Sequence, residues 1–394
     1  MGWVHENFDS LYMNEVQRLN HFRNHYELTR KDLLVKNIKR QIRQSEKNAV
    51  GLPPTAAQTM VREFQIVPKS FVLPLEYNLF LEEYKRKQSD PDANVWIMKP
   101  VGRAQGKGIF LVTHPKQIDA NLKTTKNAAI QAGERVENFV VQTYMRDPYL
   151  VGGRKFDLRI YTLVTSFRPL RAYLYRDGFA RFTGSRFSMN KSDLQNLALH
   201  LTNTAVQKKA EDYDRDRGSK WSLHALKMHL IANHGSELAN TCFGNIQALI
   251  LKALHSVSNI IIQDKHCFEL YGYDVMIDSQ LRPWLIEVNA SPSLSPDTGA
   301  DYRLKFGMLS DMLDVLDIEG LRPDDTPPVQ CGGFDLIYDG GNPIAARRPT
   351  SMPTALGCAN DSPHLALAAT YSKRFTNQPG DRSILPHMIV PTAA

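Results

Sequence analysis

The sequence has only four cysteines, Cys242, Cys267, Cys331 and Cys358, among 394 residues. None falls in a C-x-x-C spacing, which argues against zinc and against a disulfide scaffold. No run of apolar residues approaches the length needed to cross a bilayer. The start, Met1-Gly2-Trp3-Val4-His5-Glu6, has neither a signal-peptide core nor the serine or threonine of a myristoylation site. A reducing, cytoplasmic setting without a membrane partner is the expectation. Zinc-finger spacing, the glycine-aromatic run of RNA-recognition strands and internal repeats are also missing, so nucleic acid is not the expected partner.

What is present is an excess of positive charge. Lysine and arginine total 48 against 41 acids, a formal net charge of +7. Such a balance favours an anionic partner, whether nucleotide, acidic protein, nucleic acid or membrane surface. One basic cluster, Arg30, Lys31, Lys36, Lys39, Arg40 and Arg43, reads either as the solvated face of a helix or as a docking surface. The length and the 42% hydrophobic content allow two or three lobes around a substantial core.

The fold class expected is α+β. Residues 1 to about 70 read as helical segments broken at Gly51-Leu52-Pro53-Pro54. From Asn94 the pattern turns to strands: Val95 to Met98, Ile109 to Thr113, Phe139 to Met145 and Phe156 to Ser166. Arg171 to Tyr175 and Phe179 to Thr183 would pair across a turn at Arg176-Asp177-Gly178. Together these predict a large, mostly antiparallel sheet. Helices are expected over Trp221 to His234, over the stripe Ile246, Leu249, Ile250, Ala253, Val257, Ile260 and Ile261, and over Leu304 to Leu316. From Gly340 the composition shifts to Pro, Ala, Ser, Thr and Gly, so the last fifty or so residues are expected to be disordered.

Two strand runs near the end carry the strongest chemical signal. Cys267 to Ile277 contains Asp274, Leu281 to Val288 leads through Glu287 to Asn289, and Asp278-Ser279-Gln280 supplies a turn between them. Side chains alternate along a strand, so Glu287 and Asn289 share a face and a paired strand brings Asp274 alongside. An acid opposite an acid and an amide suits Mg²⁺, whose remaining positions are filled by water and phosphate oxygens. A surface hairpin with scattered acids is the alternative.

Trp96 to Pro100 is a strand ending in Lys99, followed by the loop Gly102-Arg103-Ala104-Gln105-Gly106-Lys107-Gly108 and a returning strand. Glycines let backbone N–H groups approach phosphate, but the spacing is not a Walker A motif, and strand, loop, strand reads as a hairpin lid. Lys155, Asp157 and Arg159 alternate with Phe156, Leu158 and Ile160, placing three charges on one strand face. Either solvent or a nucleotide explains that face. Arg159 suits bidentate contact with a phosphoryl or carboxylate group. Arg181, His200-Leu201-Thr202-Asn203 and Lys208 add polar groups a phosphate and metal site can use.

On these residues the sequence resembles the tubulin tyrosine ligase-like family, which has an ATP-grasp fold, and within it the polyglutamylase branch of cilia and flagella. The matching stretches are HFRNHYELTRKDLLVKN at 21–37, WIMKPVGRAQGKGIF at 96–110, GGRKFDLRIYTLVTS at 152–166, HLTN at 200–203, DKHCFELYGYDVMID at 264–278 and RPWLIEVNASPSL at 282–294. The resemblance implies a shortened N-terminal lobe over 1–70, a central ATP-grasp lobe over 71–150, a C-terminal ATP-grasp lobe over 151–339 and a disordered tail over 340–394. It also implies an ATP-dependent ligase that adds glutamate to side-chain carboxylates of tubulin's C-terminal tail through an acyl phosphate. A glycine or tyrosine ligase of the same fold, or a catalytically silent microtubule-binding module, is the alternative.

By the resemblance, Lys99, Gln105, Gly106, Lys155 and Asp157 contact ATP, Gln142, Thr143, Tyr144 and Met145 line the adenine, and Thr202 and Asn203 lie beside the phosphates. Asp274, Glu287 and Asn289 bind Mg²⁺. Arg159 steadies the reacting group, and Arg181 with Lys220 grips the carboxylate of free glutamate. The family usually carries a longer N-terminal lobe, and its autonomous polyglutamylases carry a long basic extension; the short, sparsely basic tail here implies dependence on accessory subunits of a polyglutamylase complex. Cytoplasmic microtubules of the cytoskeleton, in an axoneme or basal body, are the implied location.

Overall fold

Antiparallel pairing organises both sheets of the computed structural model, which describes residues 12–90, 94–208, 220–322, 326–342 and 352–372. The smaller sheet joins β1 (Ser70–Leu73), β2 (Trp96–Pro100), β3 (Phe110–Val112) and β4 (Phe139–Thr143) in the order β1-β4-β2-β3. Its apolar side, with Phe71, Trp96, Met98 and Val141, packs on Phe80 of a helix over Tyr77–Arg86 and Ile118 of one over Pro115–Ala132. The second helix starts where His114 and Gln117 form a reciprocal cap with Pro115 next in line, and ends at left-handed Gly133.

The larger sheet is built from β5 (Phe156–Phe167), β6 (Leu170–Phe182), β7 (Lys220–Ser222), β8 (Glu269–Ile277), β9 (Pro283–Asn289), β10 (Gln330–Cys331) and β11 (Phe334–Asp339). Its order is β10-β11-β6-β5-β8-β9, with β7 added alongside β6. One face packs on the helices Lys31–Asn48, Leu223–His234 and Ser236–Ser258, here α1, α2 and α3. Part of the other face packs on α4 (Gly299–Leu316) through Leu304 and Met308. Covered on both sides, β8 is buried at every position, which is why its sequence reads as nearly continuous apolar and aromatic residues. The stripe Ile246, Leu249, Ile250, Ala253 and Val257 of α3 faces this core, each such side chain contributing about 1.5–3 kcal/mol by leaving water.

Three sequence expectations are corrected. Arg176-Asp177-Gly178 is not a turn: β6 runs through it, and the register passes from Ile160 opposite Gly178 to Thr162 opposite Leu174, so extra β6 residues bulge there. A side chain at Gly178 would collide with the Arg159 carbonyl, so the glycine serves a close strand approach that resembles a turn signal in sequence. Trp221 lies in β7 rather than in α2, because Ser222 caps the helix by accepting from the Ala225 N–H.

The third correction narrows the expected tail. Residues 352–372 are folded against the core and end in a helix, α5 (Pro363–Ser372), which lies on α4. Leu356 is buried, its carbonyl accepts from Lys227 Nζ, and Ser362 Oγ donates to Asp311. The remainder of that expectation, over 343–351 and 373–394, lies outside the described residues.

Within the basic cluster, three of the six charges are paired with acids. Arg30 pairs with Asp32, Lys39 with Glu76, and Arg40 donates to the Ser256 carbonyl, while Lys31 turns toward Glu287. Arg30, Lys36, Arg40 and Arg43 are exposed, so the cluster still presents basic side chains to solvent.

Candidate functional site

The register of β5 with its neighbours creates a buried quartet of charges. Asp157 stands opposite Arg181 of β6, and Arg159 opposite Asp274 of β8. Arg159 Nε donates to Asp274 Oδ1 at 2.6 Å, Arg181 Nη2 to Asp274 Oδ2 at 2.8 Å, and Arg181 Nε to Asp157 Oδ1 at 2.9 Å. All four residues are less than 10% exposed, so the solvated-strand reading fails. Burial by itself would raise the Asp274 carboxyl, but the two guanidinium charges overturn that and hold it well below the usual carboxylate range. Arg181 is held well above its ordinary value, as Asp157 and Asp274 more than offset its desolvation.

Asp274 forms one wall of a cleft between the two sheets, about 750 Å³ including the space open to solvent. On the β8–β9 hairpin it sits directly opposite Glu287, as the strand alternation predicted. From the smaller sheet, Lys99 and Gln142, Thr143, Tyr144 and Met145 enter the same cleft. Lys155, Asp157, Thr202 and Asn203 line it from the other side. Apolar Ile97, Ile109, Leu201, Met276 and Ile286 give it a greasy wall.

The glycine hairpin closes one edge. β2 and β3 pair antiparallel across it, and Gln105 and Gly106 take positive φ values of 61° and 77°. A Cβ at Gly106 would lie 3.0 Å from Val206 Cγ2 and 3.3 Å from Asn203 Oδ1, so a glycine is needed for the loop to rest on residues 203–206.

Two lysines are buried in this cleft with neutral acceptors. Lys99 Nζ donates to Gln142 Oε1 at 2.8 Å, and Gln142 in turn donates to Ser70 Oγ. Lys155 Nζ donates to Tyr144 Oη at 2.8 Å and to the His200 carbonyl at 3.0 Å. Burial pushes Lys99 down to about 8, with Glu287 pulling upward and Lys31 pushing further down. Burial pushes Lys155 down to about 7, assisted by the charge of Lys99. A phosphate chain supplies the anionic charge these ammonium groups lack, and facing carboxylates at Asp274 and Glu287 supply oxygens for a hard cation. The residues therefore fit a nucleotide and Mg²⁺.

The structure brings all eleven residues assigned to ATP into one cleft, together with Asp274 and Glu287. Others stand apart. Asn289 pairs with Gly272, donates to its carbonyl at 3.2 Å and does not line the cleft. Arg159 and Arg181 back the cleft wall instead of lining it, because both guanidiniums are engaged by Asp274 and Asp157. Lys220 opens onto a second, larger cavity of about 1900 Å³, where Asp297 and Asp301 each lie 3.3 Å from its Nζ.

Sequence reasoning missed Lys31 as a site residue. It reaches the cleft from the start of α1, donates to the Arg103 carbonyl of the hairpin and lies 3.4 Å from Glu287. The available signal was its place in the 21–37 stretch; its contact with Glu287 is purely tertiary.

The four cysteines are free, consistent with the sequence reading, and no described helix is long and apolar enough to cross a membrane. Among curated proteins, the chain is 43% identical over 92% of its length to the probable tubulin polyglutamylase TTLL9 of Rattus norvegicus, covering 82% of that protein. It is 46% identical to the probable tubulin polyglutamylase ttll-9 of Caenorhabditis elegans, over 87% of this chain and 77% of the relative. Against the probable alpha-tubulin polyglutamylase Ttll1 of Tetrahymena thermophila it is 42% identical, over 83% and 80% respectively. Residues 9–325 match the profile described as the tubulin-tyrosine ligase family, and with a lysine-lined cleft between two antiparallel sheets the chain belongs to that family.

Proposed function

We propose that this chain is an ATP-dependent tubulin polyglutamylase that joins glutamate to side-chain carboxylates of tubulin's C-terminal tail. The observation that carries the proposal is the pair of buried, acid-free ammonium groups, Lys99 and Lys155, facing Asp274 and Glu287 across one cleft. Relatives similar over most of the chain are named tubulin polyglutamylases, which supports tubulin and glutamate as substrates. In the proposed reaction the tail carboxylate takes the γ-phosphoryl group of ATP, and the glutamate amine displaces phosphate as the amide bond forms. ADP and phosphate leave.

In this reading Lys99 and Lys155 neutralise the phosphates, and Gln105 and Gly106 close the hairpin over them with Thr202 and Asn203 alongside. The base lies against Gln142 to Met145 and the apolar wall. Asp274 and Glu287 would hold Mg²⁺, with Asn289, hydrogen-bonded to the Gly272 carbonyl, as the third candidate ligand. Bound there, Mg²⁺ neutralises developing phosphate charge. Asp157 and Arg181 position Asp274, and Arg159, behind the cleft wall, keeps that carboxylate oriented. Lys220, in the adjoining cavity, meets the glutamate carboxylate. The smaller sheet acts as the central lobe and the larger as the C-terminal lobe. A net charge of +7 favours an acidic tail, and accessory subunits and an axonemal or basal-body location complete the proposal.

The test offers microtubules radiolabelled glutamate, glycine or tyrosine with the immunopurified protein, with and without Mg-ATP. ATP-dependent glutamate labelling alone is expected. Labelling with glycine or tyrosine instead would reassign the amino acid, and none with co-purified partners present would leave only an interaction module. Glu287→Gln should abolish labelling while microtubule co-sedimentation persists; unchanged labelling removes Glu287 from the mechanism.

A further inference from the structure

Away from the cleft, three buried side chains converge where the N-terminal segment meets β8. His21 and His25 stand one helical turn apart in sequence spacing, and both face Glu269. His21 Nδ1 lies 3.0 Å and His25 Nδ1 3.7 Å from the same oxygen, Glu269 Oε1, and one donor atom from each residue lies within 4.8 Å of the others. Nitrogen and oxygen ligands about 2.1 Å from Zn²⁺ stand roughly 3.4 Å apart at tetrahedral angles. The two observed spacings bracket that value.

The surroundings orient these donors as a metal site would. Glu269 Oε2 is engaged separately, accepting from the Phe22 N–H at 3.2 Å and from Tyr271 Oη at 3.0 Å, so Oε1 is the oxygen turned toward the imidazoles. Without a cation, His21 Nδ1 hydrogen-bonds Glu269 Oε1; a metal ion would displace the Nδ1 proton, and Ser291 Oγ, 3.4 Å from Nε2, is placed to accept from the Nε2–H tautomer that metal binding requires. Thr29 Oγ1 lies 3.4 Å from His25 Nδ1. Glu269 is fully buried, and a buried carboxylate calls for compensating positive charge, which a cation at Oε1 supplies.

We propose that His21, His25 and Glu269 form a structural site for a borderline divalent cation, Zn²⁺ by preference, with Thr29 or a solvent oxygen as fourth ligand. Imidazole donors select zinc over the Mg²⁺ that the carboxylates of the cleft suit. The site clamps the N-terminal segment, already hydrogen-bonded between Leu19 and residues 266–268, onto the strand that carries Asp274. It stands independently of the ligase reading. The other cluster of acids and histidine, Asp311, Asp314 and His364, does not qualify: both Asp311 oxygens are satisfied by Tyr175, Gly333 and Ser362.

The test uses the full chain expressed in zinc-supplemented medium and dialysed against a weak chelator, with metal content read by plasma mass spectrometry. About one zinc per chain is expected. It should fall at least roughly tenfold in His21→Gln/His25→Gln and persist in His364→Gln and Glu287→Gln. Because the double variant could fail to fold, Co²⁺ is also titrated into metal-free wild-type protein. The intense visible absorption of four-coordinate Co²⁺, abolished by one equivalent of Zn²⁺ and untouched by excess Mg²⁺, supports the site. A wild-type chain without zinc and with only the weak spectrum of aqueous Co²⁺ overturns it, as does equal zinc in the double variant.

Discussion

Replacing Arg181 by methionine isolates the buried charge quartet. In the native fold Arg159 and Arg181 balance Asp157 and Asp274, and all four residues are buried. Removing Arg181 leaves two carboxylates with one guanidinium, and among the described residues Asp157 loses its only ion-pair partner. Breaking one partner of a buried ion pair costs about 3–5 kcal/mol, because the charge left behind stays desolvated. Adding Asp157→Asn removes the stranded charge and leaves the Arg159–Asp274 pair neutral, so the double variant should recover on the order of 2 kcal/mol relative to additivity. Urea unfolding at neutral pH, followed by tryptophan fluorescence for the wild type, both single variants and the double, measures this coupling. A cost below about 1 kcal/mol for Arg181→Met, or additivity within about 0.5 kcal/mol, would refute the argument.

The two cleft lysines make opposite predictions for stability and for binding. Their folded values, about 8 for Lys99 and about 7 for Lys155, lie below the ordinary 10.5, so between those limits the unfolded chain holds more protons. Stability contributed by these groups therefore rises with pH through that window. Phosphate binding needs the protonated amines, so nucleotide affinity should fall on the order of tenfold or more between about pH 7 and 9. Titration calorimetry at both pH values checks this, with Lys155→Met flattening the slope; a flat wild-type profile contradicts it. Gly106→Ala places a Cβ against Val206 in a left-handed residue and should raise the KM for ATP several-fold, at a cost of about 1 kcal/mol. Gly133→Ala, at φ 66° with open space around it, should lower stability alone. Equal KM changes in the two variants would remove the hairpin from the nucleotide site.

Strand alternation and turn chemistry made much of the site legible. The β8–β9 hairpin, the glycine hairpin and the charged face of β5 are local patterns, since period-two alternation and glycine geometry depend only on neighbours in sequence. The same logic failed at Arg176-Asp177-Gly178. There Gly178 is required by the approach of β5, and a glycine needed for close packing carries the same local signal as one needed for a turn. The folded segment 352–372 was hidden for a related reason: its composition is weakly apolar, but Leu356 and Ser362 find buried partners on α2 and α4.

The sequence by itself determined the antiparallel α+β architecture, the acid pair on adjoining strands and a chain poor in cysteine. Family-specific stretches pointed to the ligase. Only the tertiary structure decided which charges line the cleft and which lie behind its wall. Register placed Arg159 and Arg181 behind Asp274, burial lowered Lys99 and Lys155, and chain folding carried Lys31 to Glu287 and His21 and His25 to Glu269. Pairing across strands and helices far apart in sequence sets both the distance between charges and the water around them. Those two quantities fix the chemistry of a polar side chain, and neither is written in its local sequence.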